Sequence, residues 1–402
     1  MQPQVTRKLP RRLTETWAPW PQYSEDEIGA VARVLRSGKV NQWTGGEIRE
    51  FEKEYAASLD RRHAVALMNG TVALELALLA LGVGPGDEVI TTPRTFIASS
   101  SVVVMRGATP VMADVDRDSG NIGAAEIERV MTPRTKAIIV VHLGGWAADM
   151  TAIMELARSR GVAVIEDCAQ AHGALHRGRP VGSFGDVGAF SFCQDKVMTT
   201  GGEGGLIALD DDEKFKLAWG FKDHGKGYDT VYTKQHPPGF QWLHDSFGTN
   251  WRMTEPQAAI GRVQLAGLEA TVMQRRHNAS LWAQRLDDVP ALRTPRAADG
   301  DRHCYYRYYT YVRPEALKPG WDRDRIREEL RDAGLGVTAG SCGEIYREEA
   351  FVARGLAPVE RLPVARELGE TSLAFLTHPT LSEAAIHEAA ELVADVVNEA
   401  TR

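Results

Sequence analysis

An acidic residue and an amide residue follow a short apolar run near the middle of the chain. Residues 163–166 form the run, and Asp167 and Gln170 come after it. The ordinary explanation for such a carboxylate is that it caps a turn. A carboxylate at the end of a buried strand also suits a pyridine ring, because it pairs with the protonated ring nitrogen and keeps the ring an electron sink. Gln170 would then donate a hydrogen bond to the 3-hydroxyl oxygen of the same ring.

A lysine lies between a second apolar run, residues 187–193, and a glycine-rich turn at residues 201–205. Most lysines are surface residues, and this is the ordinary explanation for Lys196. The functional alternative is that its amine, held neutral beside a cationic group, forms a Schiff base with the aldehyde of pyridoxal 5′-phosphate (PLP). Glycines around it let the backbone approach a flat ring closely. Ser191, on the preceding run, offers a hydroxyl group to the cofactor's phosphate.

A helix start at residues 69–74 is a candidate site for that phosphate. Its small residues leave backbone N–H groups open at the positive end of a helix dipole. The ordinary explanation is a helix cap formed by Asn69 or Thr71. Other phosphate motifs are absent, because residues 201–205 are not followed by the Lys-Ser/Thr of a P-loop and residues 82–86 are not followed by the third glycine of a dinucleotide motif. The spacing of the histidines also predicts no metal centre.

Strand-like and helical segments alternate through the part of the chain that carries these candidates. Such alternation predicts an α/β domain with a mostly parallel, buried sheet, whose ligands bind at the carboxyl ends of the strands. The strand-like segments are residues 63–68, 88–91, 110–113, 137–143, 163–166, 187–193 and 205–209. The helical segments between them are residues 71–81, 98–106, 124–130 and 150–160.

The C-terminal part of the chain has a different pattern. Residues 222–250 form a long polar stretch typical of a functional loop, and residues 254–273 predict one long helix. Beyond them, a strand at 305–312 and helices at 323–333 and 383–401 predict a smaller α+β domain. A chain of 402 residues favours two domains. We therefore predict an N-terminal arm (1–24), a large α/β domain (25–273) and a small C-terminal domain (274–402).

The composition excludes several classes of function. A net charge of −7 argues against a general nucleic-acid or anionic-membrane binder. No apolar run is long enough to span a bilayer, and no apolar segment follows the basic residues at positions 7, 8, 11 and 12, so we expect a solvated arm and no secretion signal. The four cysteines are widely spaced, which predicts reduced thiols in a cytoplasmic protein, with neither disulfides nor a zinc site.

Taken together, the motifs resemble the DegT/DnrJ/StrS family of PLP-dependent sugar aminotransferases, which have the aspartate aminotransferase fold (PLP fold type I). The resemblance covers residues 25–381 and adds short motifs, in family order, at residues 84–90, 141–145, 250–254, 257–261 and 362–365. Each motif is weak, but the ordered set is specific. It implies a large domain with a mostly parallel seven-stranded sheet flanked by helices, and a smaller C-terminal α+β domain.

The resemblance also implies a role for each site residue. Lys196 is matched to the Schiff-base lysine that moves the proton during transfer, and Asp167 to the partner of the ring nitrogen. Phe96 is matched to an aromatic residue that stacks on the ring, and Asn250 to an asparagine that reaches the phosphate of a neighbouring subunit, which implies a homodimer with shared sites. The implied cofactor-binding residues are Gly70, Thr71, Val72, Phe96, Asp167, Gln170, Ser191, Lys196 and Asn250.

The activity implied is transfer of an amino group from glutamate or glutamine to a keto-sugar by a ping-pong mechanism, with a nucleotide-linked keto-hexose as the favoured acceptor. Alternatives are a keto-cyclitol acceptor of the aminoglycoside type, a sugar dehydratase that works with pyridoxamine phosphate (PMP), and a non-catalytic PLP-binding regulator. Lysine at position 196 favours transamination, since the family's dehydratases carry histidine there. The chain departs from the usual family pattern at Trp146, at residues 193–195 and at residues 340–346, which bears on the acceptor rather than on the reaction.

Overall fold

The computed structural model describes residues 13–15 and 17–402, so the basic residues at positions 7–12 lie outside the described part. The described residues of the arm contact the C-terminal part of the chain. The backbone N–H groups of Thr14 and Glu15 donate to the carboxylate of Glu388 at 2.9–3.1 Å. Trp17 packs against Trp282, with ring centroids 6.3 Å apart. These residues are therefore part of the folded structure.

Seven strands form the main sheet, as predicted. The strands, in chain order with those of a separate two-stranded hairpin (β6 and β7), are β1 (His63–Leu67), β2 (Glu88–Thr91), β3 (Thr109–Met112), β4 (Thr135–Val141), β5 (Ala163–Asp167), β6 (Leu175–His176), β7 (Arg179–Pro180), β8 (Val187–Ser191) and β9 (Gly205–Leu209). The order in the main sheet is β1-β9-β8-β5-β4-β2-β3. β9 runs antiparallel to both of its neighbours, β1 and β8, and the other neighbouring pairs in this sheet are parallel. The register aligns Asp167 with Val141 of β4 and Ala189 of β8, so these strands end at one edge.

Helices cover both faces of this sheet. Those before residue 250 are α1 (Glu25–Ser37), α2 (Glu47–Ser58), α3 (Gly70–Ala80), α4 (Ala98–Met105), α5 (Ala124–Val130), α6 (Met150–Arg160), α7 (Asp212–Phe221) and α8 (Tyr228–Tyr232). Alternate residues of β4 face opposite sides: Ala137 and Ile139 pack in the core that includes α3 and α4, and Ile138 and Val140 in the core that includes α6. This two-sided burial explains the continuous apolar runs in the sequence.

The C-terminal part packs helices against a small antiparallel sheet in the order β10-β11-β12. Its core includes Trp282, Leu330 and Val393. The remaining elements of the chain are α9 (Glu255–Ala266), α10 (Leu268–Leu286), β10 (Leu292–Arg293), β11 (Tyr308–Val312), α11 (Arg323–Asp332), α12 (Glu349–Val352), α13 (Pro363–Thr371), β12 (Ser372–Phe375) and α14 (Glu383–Ala400). Of these, α9 packs against α1 and α2 rather than against the small sheet. Single 3-10 turns lie at Leu143–Gly145, Pro314–Ala316 and Ile345–Arg347.

The prediction of one helix over residues 254–273 was wrong. Gly267 ends α9 and begins α10, and α10 continues to Leu286. The apolar pattern runs through this break because both helices bury a face, so periodicity alone hid it. Val272 packs in a core of the large sheet and Trp282 in the C-terminal core, so α10 crosses the predicted domain boundary at residue 273. That boundary stays a prediction.

Residues 222–250 are irregular except for α8. Three aromatic side chains in this stretch, Phe240, Trp242 and Phe247, are at least 79% exposed. None of the helices in the described ranges has the length and apolar character that crossing a membrane requires.

Candidate active site

Asp167 lies at the carboxyl end of β5 with its carboxylate buried and doubly hydrogen-bonded. The hydroxyl of Ser99 donates to Oδ2 at 2.7 Å, and the N–H of Ala169 donates to Oδ1 at 3.1 Å. Thr95 in turn contacts Ser99, with 2.8 Å between the two hydroxyl oxygens. Burial raises the pKa of Asp167, and the two hydrogen bonds offset only part of that rise. A cationic partner would therefore stabilise the charged form of Asp167.

Glu166, a second buried acid beside Asp167, fixes the backbone of residues 182–185. The carboxylate of Glu166 accepts the N–H groups of Gly182, Phe184 and Gly185 at 2.7–2.8 Å. His142 lies 3.2 Å away through Nε2, while its Nδ1 accepts the N–H of Ala148. Burial alone would raise the pKa of Glu166, but His142 and the backbone N–H groups lower it overall. Because its protein partners already occupy the carboxylate, we assign Glu166 a structural role.

Gln170 is fixed by contacts at both ends of its amide. Its Oε1 accepts the N–H of Gly144 at 2.7 Å, and its Nε2 donates to the hydroxyl of Ser341 at 3.2 Å. Gly144 has φ 65°, and a Cβ there would lie 2.9 Å from the ring of Tyr309. The glycine therefore allows β4 to turn closely beneath the C-terminal sheet. One hydrogen of the Gln170 amide remains for a ligand.

The start of α3 meets the end of β8. Asn69 caps the helix, accepting the N–H of Val72 through Oδ1 at 3.0 Å. A Cβ on Gly70 would lie 2.5 Å from the Cβ of Ser191, so only glycine allows this approach. The N–H groups of Gly70 and Thr71 belong to the first turn, which has no acceptors within the helix. These amides and the Ser191 hydroxyl are called the cradle here, and their binding of a phosphate stays a prediction. The Val72 amide is used by the cap.

His172 fixes the backbone of Ser191, which belongs to the cradle. Its Nε2 lies 2.8 Å from the carbonyl oxygen of Ser191 and must donate to it, so Nδ1 accepts the hydroxyl of Tyr55 at 2.8 Å. Burial lowers the pKa of His172 to about 4, which keeps the ring neutral at physiological pH. Sequence analysis assigned this residue no role.

Lys196 follows β8 and is mostly buried. Its Nζ lies 3.2 Å from Oδ1 of Asp195 and 5.1 Å from the centre of the Tyr306 ring. Burial lowers the pKa of the amine, but Tyr306 and Asp195 raise it by more, and the net direction is upward. The protein's own residues thus favour a protonated amine, and the neutral form expected beside a cationic cofactor stays a prediction. Asp167 is paired in the sheet with Ala189 of β8, the strand that leads to Lys196, and the charge of Lys196 lowers the pKa of Asp167.

Several residues of this site were missed by sequence analysis. Ser99 bonds to Asp167, the hydroxyl of Tyr306 donates to Asp195, and the indole N–H of Trp20 donates to the carbonyl oxygen of Lys196 at 3.0 Å. They come from distant parts of the chain and belong to no motif. A signal was available only for Asp195, whose position departs from the family pattern.

Two predicted site residues, Phe96 and Asn250, are exposed to solvent. Phe96 is 67% exposed and adjoins Thr95, the partner of Ser99. Asn250 is exposed and precedes Trp251, whose carbonyl oxygen accepts the N–H of Met68 just beyond β1. The stacking of Phe96 on a cofactor and the reach of Asn250 into a second subunit stay predictions.

The chain is similar to known aminotransferases over nearly its whole length. The sequence profile of the DegT/DnrJ/EryC1/StrS aminotransferase family matches residues 21–394. The solved structure of an aminotransferase from Psychrobacter cryohalolentis has a TM-score of 0.93 and 49% identity, covering 96% of this chain and 100% of that one.

Two curated relatives have similar identities to this chain. GDP-perosamine synthase from Caulobacter vibrioides is 39% identical over 346 residues, covering 85% of this chain and 88% of that protein. L-glutamine:2-deoxy-scyllo-inosose aminotransferase from Streptomyces kanamyceticus is 40% identical over 325 residues, covering 78% of this chain and 74% of that protein.

Proposed function

Because the chain belongs to the DegT/DnrJ/EryC1/StrS aminotransferase family, we propose that it transfers an amino group from glutamate or glutamine to a keto-sugar, with PLP bound at Lys196. The observation that carries the proposal is the register of the sheet: Asp167 at the end of β5 pairs with β8, whose last residue, Ser191, contacts the α3 start and is followed closely by Lys196. Ligands bind at this edge in open α/β sheets.

The residues present fit PLP. The buried, doubly hydrogen-bonded carboxylate of Asp167 suits a ring N–H cation, since its raised pKa is relieved by positive charge. The cradle suits a phosphate, since a Cβ on Gly70 would fill the space beside Ser191. When bound, PLP supplies a ring that takes up the electron pair left when a proton leaves the carbon next to the amine.

Each of these residues has a distinct task in the transfer. Lys196 binds the cofactor's aldehyde through Nζ and, once released, moves a proton from and to the substrate carbon. Asp195, 3.2 Å from that amine, stabilises it while it holds the proton. Asp167 keeps the ring nitrogen protonated, and Gln170 donates its remaining amide hydrogen to the ring's oxygen. These roles also require that the phosphate stay in the cradle throughout.

For the acceptor we propose a nucleotide-linked keto-hexose, with a keto-cyclitol as the alternative. The two relatives named for GDP-perosamine and for 2-deoxy-scyllo-inosose are almost equally similar to this chain, so overall identity supports both classes. We further propose a homodimer in which Asn250 of each subunit reaches the neighbouring phosphate; its exposure next to the end of β1 is consistent with that role.

An absorbance spectrum of the purified protein with PLP tests the proposal. We expect a visible band that is replaced by the near-ultraviolet band of PMP when glutamate or glutamine is added. Lys196→Ala should lose this conversion and all turnover, whereas Lys53→Ala, at an exposed position of α2, should retain both. Sustained turnover by Lys196→Ala would refute the role of the lysine. A cofactor-bound protein that is inert to both donors would favour the dehydratase or regulator alternative.

A further inference from the structure

We propose that Arg307 binds the carboxylate of the amino donor, at the same carbon whose amino group is transferred. The inference rests on the proposed function, because it assigns a binding subsite to the first substrate of that reaction. Arg307 precedes β11 and enters the site from the C-terminal part of the chain. No motif or family position discussed above includes this residue.

The position of Arg307 relative to Lys196 carries the argument. Asp195 lies between the two cations: Oδ1 is 3.2 Å from Nζ of Lys196, and Oδ2 is 4.0 Å from Nη2 of Arg307. The amine and the guanidinium therefore flank a single carboxylate. In an α-amino acid, the amino group and the carboxylate are bonded to one carbon. A donor whose nitrogen replaces Nζ of Lys196 thus brings its carboxylate within reach of Arg307.

The guanidinium of Arg307 is positioned by Tyr306 and keeps N–H donors that no protein group uses in the described part of the chain. It lies over the ring of Tyr306 at 4.4 Å, and its Nη1 donates to the Tyr306 carbonyl oxygen at 3.2 Å. That is its one side-chain hydrogen bond among the described residues; the contact with Asp195 is a longer ion pair. The side chain is 18% exposed, so it is desolvated yet accessible. An arginine with unused N–H groups in such a setting suits a carboxylate.

A second arginine adds positive charge behind Arg307. Arg275 is fully buried, and in the described part of the chain none of its three guanidinium nitrogens has a hydrogen-bond partner. Its charge acts on both Arg307 and Asp195. Lys196 and Arg307 therefore share Asp195 as an ion-pair partner, while Arg275 adds its charge without a direct contact to that carboxylate. Unbalanced charge is costly in a site of low dielectric, and an anionic ligand offsets it.

The carboxylate of the donor fits this place better than the phosphate groups of a nucleotide-linked acceptor. A diphosphate on the anomeric carbon is several bonds from the keto carbon, whereas the donor's carboxylate is bonded directly to the reacting carbon. Glutamate and glutamine share this carboxylate and differ only at the far end. Arg307 can therefore recognise whichever of the two is the donor.

Substrate analogues test the inference on the unmodified protein. L-Glutamine and L-isoglutamine differ only in which carboxyl group is an amide, and isoglutamine lacks the carboxylate beside the reacting amine. We expect the PLP band to be converted by L-glutamine or L-glutamate, and conversion by isoglutamine to need a concentration at least about 10-fold higher than the better of the two. Equal conversion by isoglutamine would overturn the proposal.

Variants of Arg307 locate the effect. For Arg307→Gln we expect the half-saturating concentration of the better donor to rise about 10- to 100-fold, with a smaller rise for Arg307→Lys, which keeps the charge but not the fork. Arg313→Gln, at an exposed position just past β11, is the matched control and should match the unmodified protein. The affinity of the aminated protein for its keto-sugar should not change.

The outcomes separate this inference from the proposed function. If the unmodified protein converts neither glutamate nor glutamine, the proposed function fails. If it converts a donor but Arg307→Gln keeps the same half-saturating concentration, or loses affinity for the keto-sugar instead, only the assignment of Arg307 fails. Should Arg307→Gln not take up PLP, the comparison of the better donor with isoglutamine and the half-saturating concentration for Arg307→Lys decide.

Discussion

The charge of Asp167 is set by a few neighbours. Burial raises the pKa of this carboxylate, and the hydrogen bond from Ser99 is the largest of the influences that lower it. The proposed role of Asp167 requires the charged form. Ser99 therefore acts on the reaction through Asp167, and its contribution can be separated from the reaction itself by varying the pH.

Ser99→Ala should raise the pKa of Asp167, because the charged carboxylate loses a donor at 2.7 Å. We expect the acid limb of the pH profile of kcat/KM to move to higher pH, with activity about 10-fold lower on that limb. Ser100→Ala is the matched control, since its buried hydroxyl has no hydrogen-bond partner among the described residues. An unchanged profile for Ser99→Ala would show that Asp167 does not depend on this bond.

Among the single residues of the site, sequence analysis predicted those that belong to local motifs. Asp167 and Lys196 each follow an apolar strand, so type and position together indicated a role. Ser99, Tyr306 and Arg307 were missed because their partners are distant in sequence: Tyr306 and Asp195 are 111 positions apart. Such pairings depend on how the C-terminal sheet packs over the large one, and no local pattern encodes it.

Among the elements, the contact between β9 and the start of α3 is the tightest constraint on the cradle. Gly205 begins β9 and pairs with Leu67 of β1. A Cβ at this position would lie 2.1 Å from the carbonyl oxygen of Asn69, the residue that caps α3. The obstacle is backbone rather than a flexible side chain, so the strand or the helix start would have to move.

Gly205→Ala should therefore lower the free energy of unfolding by about 2 to 4 kcal/mol. Chemical denaturation followed by circular dichroism measures this change. Gly84→Ala serves as the control, because a Cβ there would have no neighbour within 4 Å and Gly84 needs no positive φ. Equal stability of the two variants would mean that α3 moves at little cost.

Sequence patterns predicted most elements of the large sheet because its strands are buried on both faces and separated by clear turns. The hairpin of β6 and β7 was missed, since two-residue strands have no periodicity to detect. The helix α8 was missed because it is only five residues long and lies in a polar stretch. The break at Gly267 was missed because a single glycine is compatible with a continuous helix.

Across the whole molecule, buried histidines link stability to pH. Burial lowers the pKa of His172 to about 4 and that of His303 to about 3, while an unfolded histidine titrates near 6.5. Between these values the unfolded chain binds protons that the folded chain does not. The contribution of these two histidines to stability is therefore fully present above pH 6.5 and is lost as the pH decreases from 6.5 toward 4.

His172→Gln should reduce this loss. The residue alone accounts for about 3 kcal/mol between pH 6.5 and 4, so the variant should show a shallower decline of unfolding free energy with acid, although it is less stable at neutral pH. Denaturation at a series of pH values measures the slopes. His387→Gln, at an exposed position of α14, should leave the slope unchanged. Parallel curves for all three proteins would exclude His172 as a source of acid sensitivity.

The bond between Trp20 and the backbone of Lys196 has an optical consequence. The indole nitrogen lies 3.0 Å from the carbonyl oxygen of the lysine. A chromophore attached to that lysine would accept excitation energy from so close an indole, and its conversion to a form that absorbs elsewhere would alter the transfer. Emission from Trp20, isolated as the difference between the protein and its Trp20→Phe variant, thus follows the chemical state of Lys196 without any added label.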